Sequence, residues 1–295
     1  AVGPGTHAEQ TAKALVGVER VLREREIDLC VVAGDVNSTL AGALAAAKAG
    51  VQLAHVESGL RSFDRTMPEE HNRKLTDHLS DVLLTHSAEA NDNLAHEGIS
   101  ADSGHLVGNT MIDSLAAHVE RAREGKPWER FDAEPGAYAL VTLHRPSLVD
   151  DPKRLAEVTR GLIELASDLP LVFPAHPRTL ARLAGSADDA RLQAAGVRLS
   201  PPLGYHDFLG LEAEARFVVT DSGGVQEETS WLRVRCFTLR STTERPITEE
   251  LGTNTLIEEL PEIPALLETP KPGQEIPLWD GNAGRRAARV LADSL

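Results

Sequence analysis

Reactive side chains stand directly after short apolar runs at four places in the chain. Asp35 follows Leu29-Cys30-Val31-Val32-Ala33-Gly34, Glu57 follows Val51-Gln52-Leu53-Ala54-His55-Val56, His144 follows Ala139-Leu140-Val141-Thr142-Leu143, and Asp221 follows Phe217-Val218-Val219-Thr220. In open α/β sheets the ligand crevice lies beyond the carboxyl ends of the strands, so residues just after a strand carry more functional weight than others. Asp221 leads into Ser222-Gly223-Gly224 and then a helical pattern. Backbone N–H groups at a helix start have no intrahelical partners and sit at the positive end of the dipole, and glycines let a phosphate come close. Glu228 lies one helical turn beyond Gly224, where its carboxylate can accept from a sugar's hydroxyls. Taken alone, Ser-Gly-Gly reads first as an ordinary strand-to-helix turn. Asp35 and Glu57 come from consecutive strands. Two carboxylates in one crevice do not both ionise cheaply, so one tends to hold a proton and act as a general acid. Asp35 also has a purely structural use, as a cap for the helix beginning near Ser38.

Glu69 and Glu70 follow Pro68, the pattern of a helix start, and they form i,i+4 pairs with Arg73 and Lys74. His144-Arg145 is more telling, because Pro146 halts the strand and leaves the pair in the crevice. There Arg145 suits a phosphate, and His144 suits proton transfer or ligand contact. His176 in Pro174-Ala175-His176-Pro177 reads first as a turn histidine. The hydroxyls and Arg245 of Ser241-Thr242-Thr243-Glu244-Arg245-Pro246 suit a sugar or pyrophosphate, and also a solvated loop. No cluster has metal-ligand spacing, and there is no Walker-type lysine loop or dinucleotide Gly-x-Gly-x-x-Gly, so neither metal nor cofactor is called for.

Alternating β and α segments must position these residues. Strands are expected at 28–33, 51–55, 81–85, 138–143, 170–174, 197–199, 216–220 and 235–238. Helices are expected at 7–25, 38–49, 68–79, 87–97, 110–123, 152–167, 178–194, 206–213, 223–232, 260–268 and 281–293. That order specifies α/β architecture with mostly parallel sheets. The 295 residues suffice for two domains. A turn-rich, charged stretch at 124–136 marks the boundary, giving 1–124 and 125–275, and 276–295 forms a last helix that returns to the first domain. A second break is expected at 269–281, where Pro270, Pro272, Gly273 and Pro277 precede the final helix. A net charge of −15 argues against nucleic acid or an anionic membrane as partner. No apolar run approaches the roughly 20 residues of a membrane span. Cys30 and Cys236, each in an apolar run, read as buried thiols in a reducing, cytoplasmic setting.

Several blocks in this order resemble the non-hydrolysing UDP-N-acetylglucosamine 2-epimerases, a GT-B-like family. They are Gly34-Asp35-Val36-Asn37-Ser38-Thr39, His55-Val56-Glu57-Ser58-Gly59-Leu60-Arg61, Pro68-Glu69-Glu70-His71-Asn72-Arg73, Val107-Gly108-Asn109-Thr110, His144-Arg145, Thr220 through Glu228, Thr242-Thr243-Glu244-Arg245-Pro246, and the tail Trp279-Asp280-Gly281. The resemblance implies two Rossmann-like domains with an interdomain active-site cleft, a homodimer, and a UDP-sugar substrate. It implies inversion at C2 of UDP-N-acetylglucosamine to UDP-N-acetylmannosamine, by elimination of UDP to 2-acetamidoglucal and re-addition. Asp35, Glu57 and Glu69 match the family's catalytic carboxylates, and His144 its catalytic or phosphate-contacting histidine. Arg145, Ser222, Gly223, Gly224 and Arg245 fall to the UDP, with Glu228 on the ribose.

The chain also departs from the pattern. Family members open with a strand and a Gly-Thr-Arg-Pro-Glu turn, and the first βα units are expected to be missing here, leaving a sheet edge uncovered. Pro146-Ser147 replaces the Arg-Glu or Ala-Glu common in bacterial members. Alternatives are a 2-epimerase of a modified UDP-sugar such as a diacetamido uronic acid, a hydrolysing 2-epimerase, a GT-B glycosyltransferase, and a nucleotide-sugar binding protein without turnover.

Overall fold

Short runs of mostly apolar residues become most of the parallel strands of two sheets in the computed structural model, which describes residues 2–3, 5–184 and 186–295. The first sheet has the order β1-β2-β3-β4, formed by Leu29–Ala33, Gln52–Ser58, Val82–Thr85 and Gly104–Leu106. The second takes β5 to β10 from Ala139–Thr142, Leu171–Pro174, Arg198–Ser200, Phe217–Thr220, Arg235–Leu239 and Asn254–Ile257, in the order β10-β9-β8-β5-β6-β7. Every pairing in both sheets is parallel. β4 and β10 lie outside the sequence expectation. Each is short, and neither reads as a run of apolar residues.

Why β5 shows no polar alternation follows from its packing. Ala139, Val141 and Leu143 join one core cluster with Phe217, Val219 and Phe237, while Tyr138 and Leu140 join another with Val218 and Val172. A strand covered on both faces has no solvent side to record in its sequence. The carboxyl end of β5 is also where the strand order reverses, with β8 on one side and β6 on the other. That is the crevice position of a doubly wound sheet.

The chain divides into two compact units, 1–113 with 277–295, and 114–276. The division falls inside the helix Thr110–Glu124, upstream of the turn-rich 124–136 stretch. That stretch is held within the second unit: Pro127–Phe131 forms a 3-10 helix, and Trp128 and Ala133 enter the core beside Tyr138. The closing helix Ala283–Ser294 belongs to the first unit, where Ala287 packs with Ala54, Val82 and Leu84. The single helix expected over 178–194 is two, Pro177–Leu183 and Ala187–Ala194. Short helices at Pro146–Val149 and Ile247–Glu250 occupy segments read as loops. No helix among the described residues is long and apolar enough to cross a membrane.

In the first unit, buried charge replaces apolar packing beneath the end of β2. Arg61, 1% exposed, donates to Asp77 at 2.7 Å and to Glu97 at 2.9 and 2.6 Å. Asp77 also takes His55 Nδ1 at 2.6 Å and the Gly59 N–H at 3.2 Å, while His55 Nε2 reaches the Gly34 carbonyl at 2.9 Å. The network therefore ties the ends of β1 and β2 to the helix Pro68–Leu79. Between Val56 and Ser58 the β2–β3 register shifts by a bulge, and Glu57, the extra residue, takes φ +68°. Bulges re-aim side chains, and a left-handed non-glycine costs roughly 1–2 kcal/mol that the surrounding bonds must offset. Two residues on, Gly59 has φ +79°, and a Cβ there would fall 2.4 Å from the Ala90 carbonyl oxygen.

Burial alone would raise the Glu97 carboxyl, but hydrogen bonds and charge from Arg61 and then Lys74 outweigh it and hold the group at about 2, below its usual 4.5. A depressed carboxylate contributes stability above its unfolded pKa that is lost as pH falls through the folded one. Glu97→Gln is expected to lower stability at neutral pH and to flatten the loss of stability between about pH 4.5 and pH 2. Urea unfolding at a series of pH values checks both; an unchanged acid slope would count against the Arg61–Glu97 pair.

Candidate functional site

In the first unit the carboxyl ends of β1 and β2 bring Glu57 over Gly34. A methyl built on Gly34 would lie 3.7 Å from a Glu57 carboxylate oxygen, and Asp35 is the next residue. Asp35 is not a helix cap: Val36 occupies the N-cap of Asn37–Ala49 without a side-chain bond, and the Asp35 carboxylate pairs with Arg73 Nη2 at 2.5 Å. Its carbonyl accepts from Asn72 Nδ2 at 2.9 Å. Arg73 turns to Asp35 and to Glu70, 2.6 Å away, and the expected Glu69–Arg73 pair is replaced by this arrangement. Glu70 is a buried staple. It accepts from Ser62 N and Oγ at 2.9 Å and from Phe63 N at 3.2 Å. Burial would raise its carboxyl, but these bonds and Arg73 hold it below the usual carboxylate range. Glu69, half-buried on the same helix, instead lines a cavity of about 380 Å³ with His7, Gln10, Asn37, Ser38 and Asn72.

In the second unit, hydrogen-bond donors gather around Asp221, which is 1% exposed. Its Oδ2 accepts the backbone N–H groups of His144 and Arg145, both at 2.8 Å, and its Oδ1 lies 2.9 Å from His144 Nδ1. The end of β8 thereby holds the end of its neighbour β5, and a carboxylate beside Nδ1 favours the tautomer that turns Nε2 outward. The His144 side chain is 39% exposed, enough to meet a ligand. β5 ends at Thr142, before Pro146 is reached, and the proline is instead the first residue of the helix Pro146–Val149, for which Arg145 is the N-cap.

Arg145 Nε donates to the Asp221 carbonyl at 2.8 Å, and its Nη2 lies 3.6 Å from Glu244. Arg245 bonds Glu244 at 2.7 Å and pairs with Glu227 at 2.9 Å. Arg240 closes the cluster on Glu244 at 2.7 Å. Burial would raise the Glu244 carboxyl, yet Arg245, Arg240 and Arg145 together hold it well below the usual range. At the start of the helix Gly223–Leu232, Ser222 makes no side-chain cap bond. A Cβ on Gly223 would fall 2.6 Å from Arg245 Nη1, so the glycine is what lets the guanidinium lie against the first turn. Helix-start N–H groups and an adjacent arginine are the two parts of a phosphate cradle.

Farther along that helix Glu228 is 8% exposed and meets Glu212, which is fully buried. Burial pushes Glu228 up to about 7, a hydrogen bond from Glu212 partly opposing it, and pushes Glu212 well above the usual range, with the Glu228 charge adding to the effect. Of the two, the sequence singled out only Glu228; Glu212, in Leu211-Glu212-Ala213, offers no local signal. His176 caps its own helix, its Nδ1 accepting the Arg178 N–H at 3.2 Å, and its ring stands 5.8 Å from that of His144. Both cysteines are free. Cys236 is buried and its thiol is pushed up to about 12 by that burial, whereas Cys30 is only half-buried. Among the described residues no group of three or more His, Cys, Asp or Glu is arranged to hold a metal.

A family model described as UDP-N-acetylglucosamine 2-epimerase matches residues 1–292. The UDP-N-acetylglucosamine 2-epimerase of Methanocaldococcus jannaschii is 41% identical over 300 residues, 98% of this chain and 82% of that protein. A crystal structure of the M. jannaschii enzyme in complex with UDP-GlcNAc and UDP superposes with a TM-score of 0.90 over 99% of this chain and 83% of that one. The UDP-2,3-diacetamido-2,3-dideoxy-D-glucuronate 2-epimerase of Pseudomonas aeruginosa is 39% identical over 86% of this chain and 70% of its own length. The fold is α/β and GT-B-like.

Asp221→Ala removes the acceptor of the His144 and Arg145 backbone N–H groups. Leaving a buried N–H unsatisfied costs about 1–3 kcal/mol, and that loss is the expected drop in stability on urea unfolding. A stability equal to wild type would remove Asp221 as the tie between β5 and β8.

Proposed function

The chain belongs to the UDP-N-acetylglucosamine 2-epimerase family, and we propose that it inverts C2 of UDP-N-acetylglucosamine by eliminating and re-adding UDP. The hydrogen on C2 is not acidic enough for simple removal. In the proposed route a base takes the C2 proton while the C1–O bond breaks and its electron pair leaves with UDP, giving 2-acetamidoglucal. UDP then re-forms the C1–O bond as a proton reaches C2 from the opposite face. The reaction needs acid/base groups for both faces and firm retention of the departing anion. Asp35, Glu57, Glu69 and His144 are the proposed proton-handling groups. Arg145, Ser222, Gly223, Gly224 and Arg245 are proposed to hold the diphosphate, and Glu228 the ribose.

The observation that carries this reading is the uncapped start of the helix Gly223–Leu232 with Arg245 against its first turn. Preorganised donors of that kind stabilise a leaving diphosphate without reorganising at the moment of reaction. Glu57 supports it from the other unit: a carboxylate re-aimed by a bulge and a left-handed backbone is the kind of strain that persists where function needs it. A second reading, a 2-epimerase of a diacetamido uronic acid carried on UDP, is favoured by the P. aeruginosa relative.

Incubation with UDP-N-acetylglucosamine in D₂O, followed by NMR, is expected to give a UDP-linked epimer carrying deuterium at C2. Free N-acetylmannosamine would replace the proposal by hydrolysis, and turnover only of the diacetamido uronic acid substrate would replace it by the second reading. Glu57→Gln is expected to lower kcat by at least about a thousand-fold while leaving UDP affinity within a few fold. Collapse of UDP affinity in calorimetry would make Glu57 a UDP ligand or a structural residue instead.

A further inference from the structure

The buried carboxyl pair Glu212 and Glu228 has no role in the proton chemistry described above. Glu212 sits on the helix Tyr205–Ala213, fully buried, and neither of its oxygens has a donor among the described residues. A carboxylate in that position would be an uncompensated buried charge, which proteins avoid by keeping the group protonated. A protonated carboxyl in turn needs an acceptor for its O–H, and Glu228, on the neighbouring helix Gly223–Leu232, is the group it meets. We propose that Glu212 is a permanently protonated positioning residue. It donates its O–H to one Glu228 oxygen and so fixes which Glu228 lone pairs are left for the hydroxyls of the nucleotide's ribose.

This rests on the reading of Glu228 as the ribose acceptor and adds to it the residue that aims it. The other titratable groups facing the pair are consistent with that division. Glu227, next along the helix, adds negative charge and raises Glu228 further, and the Tyr205 phenol is pushed up to about 12, by burial first and then by Glu228 and Glu212. From β9, Cys236 is buried as a thiol, its own ionisation opposed by burial and by Glu212. None of these supplies a cation, so the Glu212 proton is the stabilising partner of an ionised Glu228.

The ratio of dissociation constants for 2′-deoxy-UDP and UDP isolates the ribose contact, because phosphate titration cancels. Calorimetry on the wild-type protein is expected to give a ratio that rises with pH through about 7, reaching about ten, as Glu228 becomes the stronger, charged acceptor. Glu212→Gln keeps an N–H donor and is expected to keep the preference. Glu212→Leu removes the donor, and is expected to cut the ratio at neutral pH about three-fold or more and to move its midpoint upward. A folded Glu212→Leu variant with the wild-type ratio and midpoint overturns the inference, as does wild-type binding of UDP with no preference over 2′-deoxy-UDP. Absence of UDP binding altogether would overturn the proposed function as well. Carbon-13 NMR of protein labelled at glutamate Cδ gives an answer independent of any leucine variant. One carboxyl is expected to keep its protonated shift at about pH 8 and to vanish in Glu212→Gln, and a spectrum without such a carboxyl overturns the assignment.

Discussion

A buried carboxylate at the end of a parallel strand organises the second unit. Asp221 lies out of water, so its oxygens must find donors, and the available ones are the His144 and Arg145 N–H groups at the end of the adjacent strand. Satisfying that one group sets the imidazole of His144, aims Arg145 back onto the Asp221 carbonyl, and fixes the turn from which the helix Gly223–Leu232 departs. The arginine cluster is then assembled on Glu244 from three directions. The site proposed for a diphosphate thus lies in a chain whose overall charge is strongly negative, where short-range donors would act against the long-range field.

The first unit solves a related problem with opposite means. There the side chain of interest, Glu57, sits on a bulge with an unfavourable backbone angle, and the cost is met by a fully engaged polar network below it. Removing one partner from a buried network leaves a charge without compensation, so Arg61, Asp77 and His55 act together. Glu70 and Arg73 extend the same logic to Asp35. Of two adjacent glutamates on one helix, Glu70 became scaffold and Glu69 was left facing a cavity.

Much of the fold was legible because parallel strands covered on both faces are written as unbroken apolar runs. β5 and β8 are examples. β4 and β10 were not legible: Gly104-His105-Leu106 and Asn254-Thr255-Leu256-Ile257 pair as strands through backbone bonds that their side chains do not announce. The unit division was also hidden, since it falls within a helix, while the turn-rich segment that looked like a boundary buries Trp128 against the second unit's core.

For the candidate site, residue types at strand ends were enough to single out Asp35, Glu57, His144 and the Ser222-Gly223-Gly224 turn with Glu228 beyond it, because the ends of parallel strands are where an α/β sheet exposes its chemistry, whereas Glu69 joined them only through the family resemblance. Which of them carry charge, and toward what, was decided only in three dimensions. Asp35 could be a cap or a crevice carboxylate until the fold placed Arg73 beside it and Val36 at the N-cap, and Glu212 had no signal at all in Leu211-Glu212-Ala213. The reason is physical: protonation and aim depend on burial and on donors brought from distant segments, and a linear sequence records neither.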